Sequence, residues 1–191
     1  MNNICLLLLA VGVAFLHPAF ADLQSSNVAA RSHVDVVLSP GGVVSVGNTD
    51  IRPFASLLGW KGAVAKGVYE HAISGTSRFR FESGGRAIAD VAVSLANLAG
   101  GKVRIDYRIA AVSGFETESI GCTMKLPANL QEGLEWRVDS RCGAFARPAQ
   151  GEPRLTSGSF GKFWFPLAKE GVTICFVTTN SVKHLIQDSR R

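Results

Sequence analysis

The chain has 191 residues, 47% of them hydrophobic, with 20 glycines, 11 phenylalanines and a formal net charge of +5. That length suits one domain with a core large enough to need no staples, and the many Val, Ile and Thr in short runs broken by Gly, Pro and Ser favour strands and turns over long helices. The positive excess is modest and spread along the chain, unlike the dense basic cluster of a nucleic-acid binder.

The first 21 residues, MNNICLLLLAVGVAFLHPAFA, hold an apolar run from Ile4 to Leu16, then Pro18 and the triplet Ala19-Phe20-Ala21. The run is too short to cross a bilayer as a helix, and the small-x-small ending suits a signal peptidase. The expectation is export to the periplasm or beyond, cleavage after Ala21, and no stable membrane insertion afterwards. Against it, the n-region has no Lys or Arg, and a buried N-terminal strand or helix is the alternative. Residues 22–32 read as a polar, flexible leader and 33–191 as the folded domain.

Next come VDVVL (34–38), the turn SPGG and VVSV (43–46), two β-branched runs around a tight turn, as in a hairpin. Residues 47–67, with GNTD, RPF and GWKGAVAKG, read as a long loop. From RFRFE (78–82) the alternation is regular, placing Phe79 and Phe81 inward and Arg78, Arg80 and Glu82 outward. ADVAVSLANL (89–98) fits a strand, with helix as the alternative, and leads through LAGGK into KVRIDYRI (102–109). There Val103, Ile105, Tyr107 and Ile109 form a core row, opposed by Lys102, Arg104, Asp106 and Arg108. Cross-strand ion pairs with Arg78, Arg80 and Glu82 follow if the two strands adjoin.

Further strands are expected at 118–126, 134–140, 161–167, 171–179 and 182–188, separated by PANLQEG, by ARPAQGEPRLTSGS and by polar turns. About nine or ten short strands at this spacing make an all-β, antiparallel β-sandwich. The last one ends close to Arg191, either as a finished edge strand guarded by charges or as the N-terminal part of a longer protein.

Cys122, Cys142 and Cys175 follow the leader. An oxidising compartment permits a disulfide, with Cys122 and Cys142 the favoured pair, three unbridged cysteines the alternative, and Cys175 a buried thiol in VTICFVTT. No CxxC or HxH is present, so neither a metal site nor a cofactor is expected.

The search for catalytic residues is negative. TSGSFG has Ser157 where a nucleophile elbow needs glycine, and GSFGK lacks the leading glycine of a phosphate loop. His33, His71 and His184 stand alone, and Glu116 and Glu118 lie too close in sequence for the carboxylates of a hydrolase cleft. The aromatics say more. Trp136 shares its parity with Leu134 and Val138 and belongs to the core. Trp164 lies opposite to Phe163 and Phe165 in parity and shares a side with Lys162, and Trp60 sits beside Lys61 in the expected loop. A flat indole beside a cation can stack on the apolar face of a pyranose while polar groups meet its rim; packing under a loop or the other sheet is the alternative.

From VDVVLSPGGVVSVGNTDIRP through RFRFE, GGKVRIDYRIAA, IGCTMKLP and LEWRVDS to VTICFVTTNSVKHLIQD, the order of strands and turns resembles the β-sandwich modules of secreted bacterial glycoside hydrolases. It is similar in particular to their large supersandwich accessory domains. The resemblance implies a non-catalytic, carbohydrate-associated module, with a polysaccharide as partner and the catalytic residues in a separate domain. The second function class is an envelope interaction domain whose basic sheet face meets an anionic surface.

Overall fold

The expected all-β, antiparallel, sandwich-like architecture is what the chain forms, from more strands than the alternation marks out. The computed structural model describes residues 3–9, 13–18, 34–57, 59, 61–70, 75–99, 102–112, 117–145 and 154–188. In chain order the strands are β1 (Asn3–Leu9), β2 (Val13–Pro18), β3 (Val36–Leu38), β4 (Val44–Val46), β5 (Thr49–Leu57), β6 (Lys61–Gly62), β7 (Val64–Glu70), β8 (Thr76–Ser83), β9 (Arg86–Leu98), β10 (Lys102–Ala111) and β11 (Thr117–Pro127). A one-turn helix α1 (Ala128–Gln131) precedes β12 (Glu135–Val138), β13 (Arg141–Ala144), β14 (Arg154–Leu167) and β15 (Val172–Asp188).

The pairing order is β3-β4-β5-β11-β1-β15-β2-β10-β9-β8-β7, with β6 on β5 and β14, β12 and β13 continuing from β15. β15 stands between β1 and β2 because of its length: its Val172–Val177 stretch pairs with β2 and its Lys183–Asp188 stretch with β1. β14 accompanies it along the other edge and slips register between Phe160 and Lys162. Such an irregularity lets a strand bend from one part of a sandwich into another.

Two wings, β3-β4-β5-β11 and β10-β9-β8-β7, contribute to one core. Val44, Val46, Ile51, Met124 and Leu126 come from the first, and Phe79, Phe81, Val91, Val93, Ile105 and Tyr107 from the second. The two wings meet at the β3–β4 turn. Gly42 has φ +74°, and a Cβ added there would sit 2.4 Å from Phe79 Cε1 and 2.9 Å from Val93 Cγ2. Only glycine supplies both that backbone conformation and that approach.

The strand read from KVRIDYRI behaves as expected: Ile105 and Tyr107 are buried, Val103 and Ile109 pack against the core, and Arg104 and Arg108 are exposed. The 89–98 stretch is strand, within β9, and not helix. The expected ion pairing is different. β9 lies between β8 and β10, so Arg80 is bonded to Asp90 of β9 at 2.7 Å and Arg104 to Asp106 of its own strand at 2.9 Å.

Several expectations are corrected. The long loop at 47–67 is largely strand, β5 to β7. Pro53 falls between the stretch of β5 paired with β4, Thr49–Ile51, and the one paired with β6, Ser56–Leu57, and among the described residues no strand pairs that edge in between, which leaves room for a proline. The stretches 171–179 and 182–188 are one strand, β14 extends back to Arg154, and a further strand β13 follows β12. The last strand is no edge, since β14 and β1 flank its end. The Cys122–Cys142 bridge is not formed: Cys122 is free and buried, Cys142 free and exposed. β11 neighbours β1 and β5 while β13 neighbours β12 alone, so the two cysteines are not on adjacent strands. Cys175 is the buried free thiol expected. Apart from these corrections, residues 3–9 and 13–18, within the segment read as a signal peptide, pair as strands of the sheet in the full-length chain.

Candidate functional site

β12 and β14 meet at two residue pairs, Arg137 opposite Trp164 and Val138 opposite Phe163. Directly opposed residues share a face, so this register sorts the side chains. Val138, Phe163, Phe165 and Leu167 turn into the core, with Phe163 and Phe165 both fully buried and their ring centroids 5.2 Å apart. Lys162, Trp164 and Arg137 fall on the outward parity, where Lys162 and Arg137 are exposed and Trp164 is half-buried.

The Arg137 guanidinium lies over the Trp164 ring, 5.0 Å from its centroid. Its Nε also bonds to the Glu135 carboxylate two residues back on the same face. Each contact is weak in water, about 0.5–1 kcal/mol for an exposed cation on an indole and no more for an exposed ion pair. Together they hold a planar set of donors against an aromatic plane. Cys175, opposite Trp164 on the next strand, is buried; its thiol pKa is raised by burial, with the Lys162 ammonium pulling the other way.

Two polar latches tie the hairpin turn and α1 to β14 and the residue after it, and a third bond holds the hairpin itself together. Asp139, in the turn between β12 and β13, accepts bonds from the Gly161 and Lys162 amides at 3.0 and 2.7 Å and donates its own N–H to the Lys162 carbonyl at 2.7 Å. It does so at φ +52°, a left-handed conformation that Asp tolerates better than most residues. Gln131 of α1 is buried, donating to the Pro166 carbonyl at 2.9 Å and accepting from the Ala168 amide at 3.1 Å. Trp136, expected in the core, is half-buried and packs against it: the ring lies against Gly143, where a Cβ would sit 2.3 Å away, and its indole N–H donates to the Ala144 carbonyl at 3.1 Å.

Of the four residues singled out for binding, the structure brings together Trp164 and Lys162. Lys61 is in β6, paired through its backbone to Leu57 of β5, and Trp60 lies outside the described residues. Glu116, His33 and His71 are also outside them. Arg137 and Glu135 were not singled out. The alternation of LEWRV does place both opposite to Trp136, but what makes Arg137 notable is its partner on β14, which no local pattern supplies. Among the described residues no group of three or more His, Cys, Asp or Glu is placed to hold a metal.

Comparisons with protein-family models, with curated proteins and with solved structures find no match to this chain.

Proposed function

We propose that the protein is an exported, non-catalytic, carbohydrate-associated module, and that the outer face of β12 and β14 is where it meets a polysaccharide. The observation that carries the reading is the Arg137 guanidinium held over Trp164 with Lys162 on the same face. A sugar ring presents an apolar face and a hydroxyl rim. The guanidinium stacked on the indole turns its donors toward a hydroxyl rim, the ring surface it leaves uncovered can take the apolar face, and Glu135 restrains Arg137 before any ligand arrives, which lowers the entropy lost on binding. The rival reading, a basic sheet face for anionic surfaces, is less well supported. On β8 to β10 Arg80 and Arg104 are already bonded to Asp90 and Asp106.

The test is affinity electrophoresis through gels holding neutral and acidic polysaccharides. At least one glycan is expected to retard the protein, with Trp164→Ala weakening retention about tenfold or more, equivalent to at least ~1.4 kcal/mol. Ordinary mobility in every gel, or retention untouched by Trp164→Ala and Arg137→Ala, would sink the assignment.

A further inference from the structure

β1 and β2 lie in the middle of the sheet. β1 is paired on both edges: Ile4, Leu6 and Leu8 stand opposite Leu126, Met124 and Cys122 of β11, and opposite Asp188, Ile186 and His184 of β15. β2 is likewise paired on both edges, with Ala14 and Leu16 opposite Ile105 and Val103 of β10 and opposite Phe176 and Ile174 of β15. Met124, Leu126, Ile105, Ile174 and Phe176 are core residues, so this is no peripheral strand.

The same residues carry the leader pattern, and here the inference rests on the export reading, though not on glycan binding. Removal of residues 1–21 takes the hydrogen-bonding partners from three strands at once. Backbone groups left unpaired in the middle of a sheet are costly, and an open strand edge recruits any extended chain that fits it. What fits is defined by the walls. The occupant is extended, because both walls are strands, and it runs antiparallel to β15, as β1 and β2 do. It is apolar at alternate positions, opposite core residues, and uncharged: between Asn3 and Pro18 there is no Asp, Glu, Lys or Arg.

We propose that the chain freed of its first 21 residues takes an extended, uncharged, apolar segment of another polypeptide into this gap, antiparallel to β15. Two backbone ladders supply most of the attraction, so recognition is strict in direction and alternation and permissive in exact sequence.

The experiment starts from the full-length chain, with a protease site placed between Asp22 and Ser32 and cut only after folding. The probe is a fluorescent synthetic peptide of residues 3–18 bearing a lysine tail for solubility. The cut N-terminal fragment is expected to co-elute with the rest of the chain and to be replaced by the probe, saturably and one to one. The amides of Val103–Asp106 and Gly121–Leu126 that face the gap should exchange with solvent at least about tenfold faster when it is emptied and recover when it is refilled. A probe carrying Leu6→Pro and Leu8→Pro, which removes two donors, should not enter. The proposal is overturned if the fragment departs while those amides stay protected, because β15 has then closed on β10 and β11 directly. It is equally overturned if the probe never enters, if the proline probe enters as well, or if the cut chain unfolds and added probe does not restore it. None of these results bears on Trp164 and the glycan gels, so the two readings stand or fall separately.

Discussion

The β8–β10 wing and the β12–β14 flank are both antiparallel and both rest on buried phenylalanines, yet they are held by different means. In the wing, long strands, in register but for one slip between Phe81 and Glu82, carry a core row on one parity, with Phe79 and Phe81 edge to face at 5.4 Å. Its ladders and its apolar row make it self-consistent. The flank has two strands of four residues, too short to stand alone, and depends on single polar side chains reaching distant backbone: Asp139 to Gly161 and Lys162, Gln131 to Pro166 and Ala168. The wing should therefore fail globally, through packing, and the flank locally, through the loss of one bond.

The largest effect separating them is a core truncation in the wing. Phe79→Ala removes a ring that is 1% exposed and that also packs on Gly42 of the opposite hairpin. A cost of about 3–5 kcal/mol is expected, seen as a fall in the urea midpoint that is the same by every spectroscopic probe. Transitions that separate, with the flank outlasting the wing, would show that the wing is not the foundation on which the flank rests.

A second effect, confined to alkaline pH, probes the space between the two wings. Burial pushes the Cys122 thiol from its ordinary 9.0 up to about 12. The Tyr107 phenol is also raised, by burial first and then by Cys122. Both groups keep their protons in the fold, so nothing is lost below the thiol's unfolded value. Above it the unfolded chain ionises first, and stability falls as pH rises from 9.0 toward about 12. For the thiol the loss is of the order of ~4 kcal/mol at the upper end. Denaturation from pH 7 upward should show a shallower alkaline decline for Cys122→Ala than for the parent, on top of a constant cavity cost. Equal slopes would remove Cys122 from the account.

The contrast between wing and flank also explains what the sequence discloses. Phe79, Phe81, Ile105 and Tyr107 are legible because period-two alternation is local and a sheet needs little else to choose its buried face. β5 is harder to see, because Pro53 and the glycines around it carry the signature of a loop, and only the interval between the β4 and β6 pairings along that edge gives a proline room there. The β12–β13 hairpin is hidden in VDSRCG for a related reason: its left-handed turn position is filled by Asp139 rather than glycine. The pairing of Arg137 with Trp164 is a fact of topology, made by strands that are neighbours in space and not in sequence. Alternation reports which side a residue is on and is silent about what lies across from it.

The smallest predicted effect is the most local, and it addresses the flank's dependence on Asp139. Two contributions act at this position: the carboxylate bonds to the Gly161 and Lys162 amides, and the cost of φ +52°. Asp139→Asn keeps one acceptor and a residue tolerant of that conformation, so it should cost the least. Asp139→Gly loses the acceptor and gains an unstrained backbone. Asp139→Ala loses the acceptor and keeps the strain, and is expected to cost about 1–2 kcal/mol, the most of the three. Hydrogen exchange should place the loss at the Gly161 and Lys162 amides and in β12 and β13, leaving β8 to β10 protected as in the parent. Because Lys162 and Arg137 are set by these same strands, Asp139→Ala should also blunt glycan retention while leaving Trp164 intact. An alanine variant no worse than the glycine variant would mean the φ value carries no strain. Exchange that rises equally in the wing would mean the flank is not a separate unit, and the division of the molecule into ladder-held and latch-held parts would have to be given up.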